Sequence, residues 1–181
     1  MDLTEKDISK EIIFKGKILN LEKHYVELPN KQISSREVVT HPGAVAILPI
    51  DNEGNIYLVK QFRFPIKRVL IEIPAGKFDS AEENPLECGK RELEEEVGMK
   101  AKKWEYMGYI YTTPGFSNEK IHLYSATDLI DVGANPDEDE FVEILKVKVD
   151  EIEQMIRDGQ ITDSKTICAF YMYKLSKNTE D

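Results

Sequence analysis

The stretch from Gly76 to Met99 constrains the fold of this chain more than any other, because it joins a helix signal to an unusual density of acid. It reads GKFDSAEENPLECGKRELEEEVGM. Proline suits the first turn of a helix and glycine commonly follows the last turn, so Pro85 and Gly98 bracket a predicted helix. Like charges one turn apart destabilise a free helix by about 0.2–0.5 kcal/mol per pair. The acidic face of this helix therefore needs either solvent or a cation.

Three acidic residues share one face of the predicted helix. At about 100° per residue, their carboxylates fall within an arc of about 100°, apart from an apolar stripe. The carboxylates belong to Glu92, Glu95 and Glu96, and the stripe consists of Leu86, Leu93 and Val97. Carboxylate oxygens suit Mg²⁺ or Mn²⁺, whereas zinc prefers histidine or cysteine. The alternative is a solvated acidic face, in a chain with 34 acidic and 24 basic residues.

The frame around these carboxylates resembles the Nudix box, G-x5-E-x7-R-E-U-x-E-E-x-G-U, in which U is apolar. The matching residues are Gly76, Glu83, Arg91, Glu92, Leu93, Glu95, Glu96, Gly98 and Met99. One departure is that six residues, instead of five, separate Gly76 from Glu83. Counting from the glycine would select Glu82, which lies one residue too far from Arg91. We place the extra residue in the turn at residues 79–81, where loops absorb insertions, and prefer Glu83.

The resemblance implies metal-assisted hydrolysis of a phosphoanhydride. It implies that the metal ligands are Glu92, Glu95, Glu96 and the backbone carbonyl of Ala75, with Mg²⁺ as the cofactor and Mn²⁺ as the alternative. Such metals would neutralise a diphosphate and lower the pKa of a bound water. The box residues Gly76, Glu83, Arg91 and Gly98 would be structural, with Arg91 paired to Glu83 so that the loop is held against the helix.

A second acidic segment, residues 137–140, reads DEDE. Two or three metals would need more negative charge than one helix provides, and this segment is the second source. Its alternative role is a solvated turn. Family members that cleave ADP-ribose take a general base from an acidic loop at this place in the chain. The resemblance therefore makes Glu138 or Glu140 the catalytic base, acting beside the metal ligand Glu96.

Other segments are similar to the ADP-ribose pyrophosphatase branch of the Nudix family. Pro114 lies 16 residues beyond Gly98, as does the proline that marks this branch, although Pro-Gly is also a common turn pair. The segments HPGAVAILPI, VKQFRFP, IEIPAGK, TPGFSNE and DEDEFVE extend the resemblance over about residues 11–175.

The resemblance also assigns substrate contacts. Arg63 would contact the diphosphate, and Glu119 would lie near the terminal ribose or the metals. Arg36 and one N-terminal aromatic residue, Phe14 or Tyr25, would face the adenine, although an aromatic residue in a strand is more often part of a core.

Strand and helix patterns predict an α/β (α+β) fold. Residues 11–28 indicate a hairpin broken at 15–17, and residues 32–40 an extended segment. Further strands are expected at 44–50, 56–62, 69–73, 104–111, 121–126 and 141–149. Helices are expected at 150–157 and after Asp163 or Ser164. This order is compatible with a Nudix-type α/β/α sandwich with a mixed sheet. We expect residues 1–41 to form a small N-terminal β extension and residues 42–181 the Nudix hydrolase domain.

Composition and charge restrict the partners. The net charge of −10 argues against a nucleic-acid ligand, which needs a basic patch. No apolar run approaches the roughly 20 residues of a membrane span. Cys88 and Cys168 lack metal spacing and need not pair, so we expect a cytoplasmic protein. We also expect a homodimer, because the short extension cannot bury its own apolar residues unless it packs back on its own domain. Those residues are Ile12, Phe14, Ile18 and Leu21.

The first functional hypothesis is a Mg²⁺-dependent hydrolase that splits ADP-ribose into AMP and ribose 5-phosphate. A hydrolase of another nucleoside diphosphate sugar, such as GDP-mannose, is the nearest alternative. A non-catalytic Nudix-fold nucleotide-binding module is a second alternative, which the complete set of box carboxylates disfavours. A sanitiser of oxidised nucleoside triphosphates is a third, and it leaves the long N-terminal extension unexplained.

Overall fold

Ten strands and three α-helices form in the part of the chain that the computed structural model describes, which is residues 2–80, 82–133 and 141–177. The strands are β1 Lys6–Lys15, β2 Asn20–Glu27, β3 Ile33–Thr40, β4 Ala44–Pro49, β5 Asn55–Arg63, β6 Arg68–Glu72, β7 Ala75–Lys77, β8 Met99–Tyr111, β9 Lys120–Asp131 and β10 Val142–Lys148. The helices are α1 Pro85–Val97, α2 Val149–Arg157 and α3 Ser164–Lys177, and a 3₁₀ turn spans Phe64–Ile66. None of these helices is both long and apolar enough to cross a membrane.

The chain divides into two compact units. The first unit comprises Met1–Gly43 and Tyr111–Lys120, and the second comprises Ala44–Ile110 and Ile121–Asp181. The predicted domain boundary at residues 41 and 42 remains a prediction, because the first unit also includes a loop from the middle of the chain.

The first unit is built on an antiparallel sheet of β1, β2 and β3. The predicted hairpin is confirmed, and Gly16 closes its turn by donating its backbone N–H to the carbonyl of Leu19 at 2.9 Å. β1 begins at Lys6, earlier than expected, and all ten of its residues are exposed. The loop after β8 joins this unit because the N–H of Val39 donates to the carbonyl of Phe116 at 2.7 Å.

The second unit contains the predicted mixed sheet, in the order β7-β4-β9-β8, and an antiparallel sheet in the order β10-β5-β6. β4 runs parallel to β9 and antiparallel to β7. All six residues of β4 are buried, as a short continuous apolar run predicts. Ala44, Ala46 and Leu48 belong to a core that includes residues of α2 and α3, whereas Val45 and Ile47 belong to a core that includes α1. Helices therefore cover both faces of this strand, which confirms the predicted α/β/α layering.

Helix termini follow their local signals, but some strand boundaries do not. The predicted Asp163 cap is present, because its carboxylate accepts the N–H of Thr166 at 3.0 Å and the Thr166 hydroxyl at 2.6 Å. β7 was not expected, since its three residues Ala-Gly-Lys follow a proline and show no apolar alternation. β8 begins at Met99, directly after the helix-ending glycine, five residues earlier than the predicted strand at Trp104.

Candidate active site

Helix α1 begins and ends where its sequence predicts. The side chain of Asn84 caps it by accepting the N–H of Leu86 at 2.9 Å, and Pro85 occupies the first turn. Gly98 ends it in the left-handed conformation, with φ of 71°, and donates its N–H to the carbonyl of Glu94 at 3.0 Å. The carboxylates between these two caps are therefore held on a rigid element.

The apolar face of α1 packs on β4. Leu93 and Val97 are buried as expected, but Leu86 is only partly buried, and Cys88 takes the next fully buried position. Burial raises the pKa of the Cys88 thiol to about 12, which keeps it protonated and unreactive near neutral pH. At Gly89 an added Cβ would lie 3.3 Å from Val45, so the glycine permits a close approach of helix and sheet.

Two of the three carboxylates on α1 are buried against β7. Glu92 is 6% exposed, and a Cβ added to Gly76 would lie 1.9 Å from its carboxyl carbon and Oε1. Glu96 is 2% exposed, and its Oε2 accepts the N–H of Ala75 at 3.0 Å. The N–H and C=O of a strand residue point to the same side, so the Ala75 carbonyl faces this helix as well. The alternative of a solvated acidic face is wrong for Glu92 and Glu96.

Arg91 supplies positive charge to this acidic group. Its Nη1 lies 2.7 Å from Oε1 of Glu92 and 3.3 Å from Oε2 of Glu95. Its Nη2 lies 3.4 Å from Oε1 of Glu83, so the expected pair is present, and Glu83 also accepts the N–H of Asp79 at 2.7 Å. Burial disfavours the charged guanidinium, but Glu92 and the other nearby anionic groups outweigh it and raise the pKa of Arg91. The contacts to Glu92 and Glu95 were not predicted.

The oxygen atoms that α1 presents are ligands of the type that hard divalent cations prefer. They are carboxylate oxygens, joined by a backbone carbonyl on β7, which is the donor type that Mg²⁺ and Mn²⁺ accept. In the arrangement shown, no three acidic, histidine or cysteine side chains are grouped to hold a metal within the described ranges. Arg91 contacts Glu92 and Glu95 instead, so a bound cation would share or replace the positive charge that Arg91 provides.

Arg63, the predicted diphosphate contact, stands at the end of β5. Its Nε donates to Oε1 of Glu72 at 2.8 Å and its Nη2 to Oε2 at 2.7 Å. Lys165 contacts the same carboxylate from α3. Sequence reasoning missed Glu72 and Lys165. The available signal was an acid inside the apolar run VLIEI, because a buried charge needs a partner, but the partner itself could not be read from the sequence.

The predicted adenine contacts lie on opposite faces of the first unit's sheet. Arg36 stands opposite His24 on β2, and its guanidinium pairs with Glu5. Tyr25, the residue after His24, therefore points to the other face, and Phe14 shares that face because its partner is Leu21. Within this unit, the structure does not bring Arg36 together with either aromatic residue.

Glu119 and Pro114 belong to the loop of the first unit. Oε2 of Glu119 accepts the hydroxyl of Thr112 at 2.6 Å, and its Oε1 lies 3.7 Å from Nε2 of His41. Pro114 follows Thr113, whose carbonyl accepts the N–H of Phe116 at 3.1 Å, so it occupies a turn. The predicted bases Glu138 and Glu140 lie outside the described residues.

Comparison with known proteins identifies the family. Residues 40–170 match the NUDIX domain. The chain belongs to the Nudix family. This confirms the resemblance seen in the box, and the chain is accordingly a Nudix hydrolase.

Three relatives match different shares of the chain. ADP-ribose pyrophosphatase of Bacillus subtilis is 44% identical over 97% of this chain and 95% of its own. Methanol dehydrogenase activator of Bacillus methanolicus is 44% identical over 96% and 94%. GDP-mannose pyrophosphatase of Yersinia enterocolitica is 34% identical over 69% of each chain. The first two therefore match nearly the whole Nudix chain, whereas the third matches only part of it.

A solved structure confirms the fold class. The crystal structure of an ADP compounds hydrolase superposes with a TM-score of 0.88, covering 99% of this chain and 98% of its own at 18% identity. At 18% identity, this structural similarity is evidence for the fold alone. It supports the predicted Nudix-type α/β/α sandwich.

The close approach at Gly76 generates a prediction. Gly76→Ala places a Cβ 1.9 Å from the Glu92 carboxyl carbon, so that carboxylate must leave its position. We expect turnover to fall at least about a hundredfold, because a misplaced group in a metal site costs that much. The exposed neighbour Lys77, changed to Ala, serves as the stability control. Hydrolysis rates and thermal unfolding midpoints check this, and full activity in folded Gly76→Ala would contradict it.

Proposed function

We propose that this Nudix hydrolase cleaves the diphosphate of ADP-ribose to give AMP and ribose 5-phosphate. We infer the substrate from one observation: the chain is 44% identical over 97% of its length to ADP-ribose pyrophosphatase of Bacillus subtilis. In the reaction, the oxygen of water bonds to one phosphorus as the P–O bond to the bridging oxygen breaks. The proton lost from water balances the charge on the departing phosphate.

We assign the cation to helix α1. Glu92, Glu95, Glu96 and the carbonyl of Ala75 would hold Mg²⁺, with Mn²⁺ as the alternative. The cation, when bound, neutralises the diphosphate and lowers the pKa of a coordinated water. Burial of Glu92 and Glu96 supports this role. Two buried carboxylates beside a partly exposed third are costly unless positive charge compensates them.

We assign the diphosphate to Arg63. Bidentate pairing with Glu72 fixes the guanidinium plane of Arg63, and 41% of its side chain stays exposed. On the sheet of β1, β2 and β3, Arg36 and one of Phe14 and Tyr25 would contact an adenine. Because Arg36 and the aromatic residues lie on opposite faces of one sheet, two copies of the chain would have to supply them to a single adenine. Glu119 would lie near the terminal ribose or the metals.

Three other functions are compared with ADP-ribose hydrolysis. Hydrolysis of GDP-mannose is less well supported, because the relative named for it covers 69% of the chain at 34% identity. Activation of a dehydrogenase is favoured by the Bacillus methanolicus relative, which is as similar as the Bacillus subtilis relative. A non-catalytic binding module is not supported, since the box carboxylates are complete and two of them are buried next to Gly76.

A substrate panel tests the proposed function. Purified protein with Mg²⁺ is given ADP-ribose, GDP-mannose and other nucleoside diphosphate sugars, and the products are separated by chromatography. We expect the highest kcat/KM for ADP-ribose, with AMP and ribose 5-phosphate in equal amounts, and no turnover when Ca²⁺ replaces Mg²⁺ because its looser coordination misplaces the water. A higher kcat/KM for GDP-mannose would contradict the proposal. Adding a methanol dehydrogenase tests the second candidate separately.

We propose that the general base lies in the acidic segment 137–140. Replacing Glu138 and Glu140 separately by Gln should give one variant whose KM is nearly unchanged and whose kcat falls by about 10²–10⁴. The matched variant at the other position is the internal control, because it makes the same chemical change two residues away. Equal, mild losses in both variants would move the base to a box glutamate.

The exposed apolar surface of β1 supports a homodimer. Ile8, Ile12, Ile13 and Phe14 are each more than half exposed, which is unusual for large apolar side chains on one strand. We propose that a second copy of this chain covers them, because a two-fold pair is the commonest assembly of soluble chains. We further propose a cytoplasmic location, as both cysteines are free thiols.

Light scattering tests this dimer. At micromolar concentration, we expect twice the mass of the 20.8 kDa chain. Ile12→Glu should give a monomer with weaker ADP-ribose binding, because charge in an apolar interface must be desolvated. Gln32→Glu adds the same charge at an exposed position just before β3, away from β1, and should remain dimeric. A monomeric wild-type protein would remove the argument for a pocket shared between two copies.

A further inference from the structure

A buried carboxylate in the second unit has two cationic partners. Glu72 is 1% exposed and accepts two hydrogen bonds from Arg63, at 2.8 and 2.7 Å. Nζ of Lys165 contacts Oε2 of Glu72 and also lies 3.1 Å from Oδ1 of Asp163. The partners come from β5 and α3, and 93 residues separate Glu72 from Lys165. These four residues form a charged network that we call the Glu72 network.

Stability alone does not account for this network. Replacing a buried ion pair by apolar residues of similar volume is often neutral or stabilising, so stability is a weak reason for burying these charges. Burial alone would raise the pKa of Glu72, but hydrogen bonding from Arg63 and the charge of Lys165 outweigh it and lower that pKa. Glu72 therefore stays ionised and holds both cations.

The network leaves one side of Arg63 open. Its Nε and Nη2 bind Glu72, while Nη1 donates to no residue within the described ranges. Lys165, in contrast, is 9% exposed and faces the carboxylate. Lys165 therefore occupies the buried side of Glu72. The exposed side of Arg63 presents oriented N–H groups, whose planar geometry suits phosphate oxygens.

Arg63 lies within electrostatic range of one box carboxylate, that of Glu96. Hydrogen bonding to Glu72 raises the pKa of Arg63, and the charges of Glu96 and Asp163 act in the same direction, so Glu96 lies within electrostatic range. The segment after Glu72 leads directly to Ala75, whose N–H binds Glu96. The backbone of that segment is fixed to α3, because the N–H of Ile73 donates to the hydroxyl of Thr166 at 2.9 Å.

We propose that Glu72 and Lys165 are positioning residues that hold Arg63 for the diphosphate group of the substrate. Glu72 orients the guanidinium. Lys165 pairs with the same carboxylate, so Glu72 does not fully neutralise the positive charge of Arg63. Asp163 also pairs with Lys165, and its other carboxylate oxygen accepts the N–H of Thr166 at the start of α3, where the helix dipole favours negative charge. This inference rests on the proposed diphosphate substrate.

The test measures binding of α,β-methylene-ADP-ribose, in which carbon replaces the bridging oxygen so that no cleavage occurs. Lys165→Met keeps the length of the side chain and removes its charge, and we expect the Kd to rise about tenfold, the size of coupling found between contacting charged groups. In an Arg63→Ala background, the same change should alter the Kd less than twofold, because Lys165 acts through Arg63. A merely structural role would give the same loss in both backgrounds.

Two further variants keep the result interpretable. Lys174→Met makes the same chemical change further along α3, where Lys174 pairs with Glu153, and should leave the Kd unchanged. Lys165→Gln keeps a donor to Glu72 without the charge, and it replaces Lys165→Met if that variant does not fold. We expect it to weaken binding as well.

The outcomes separate this inference from the proposed function. A wild-type protein that binds the analogue, with a Kd that neither Lys165 variant changes, overturns the inference alone. Equal losses with and without Arg63 also overturn it. A wild-type protein that neither binds the analogue nor hydrolyses ADP-ribose overturns both proposals.

Discussion

The close approach of helix α1 to strand β7 is the constraint on which the rest of the site depends. Gly76 has no side chain, so the Glu92 carboxylate can occupy the space where a Cβ would stand. One turn further along, Glu96 accepts the N–H of Ala75. β4 makes this approach possible, because Val45 and Ile47 pack in the core that contains α1 while β4 pairs with β7. Fold and site are thus coupled through one strand.

Charge compensation is the second requirement, since three glutamates in the second unit are buried. Arg91 forms an ion pair with Glu92 on the same helix, whereas Glu72 is paired with Arg63 and Lys165 from other elements. Leaving one buried charge unpaired costs about 3–5 kcal/mol, so these partners are fixed by the fold. The two arginines differ in surroundings: Arg91 lies among several carboxylates, and Arg63 has one bidentate partner and an open outer side. Arg63 thus keeps part of its guanidinium exposed while Glu72 fixes its orientation.

Local signals explain how much of this could be predicted from the sequence. Pro85 and Gly98 bracket α1 correctly, and the continuous apolar run of β4 is a buried strand, because both depend on neighbouring residues. β7 has no such signal, since its three residues are placed by pairing with β4. Lys165 could not be assigned to Glu72 because 93 residues separate them. The box motif identified the carboxylates, but their burial and the additional contacts of Arg91 arise only in the folded unit.

A titration with Mn²⁺ tests most directly whether the carboxylates of α1 are a cation site. Wild-type protein and Glu92→Gln, which preserves the shape of the side chain, are titrated with Mn²⁺ while free ion is measured by electron paramagnetic resonance. Glu87→Gln, an exposed first-turn change on the same helix, is the control. We expect Glu92→Gln to bind Mn²⁺ at least about tenfold more weakly, because a charged ligand is lost, while the control binds like wild type. Equal Mn²⁺ affinity in all three folded proteins would contradict it.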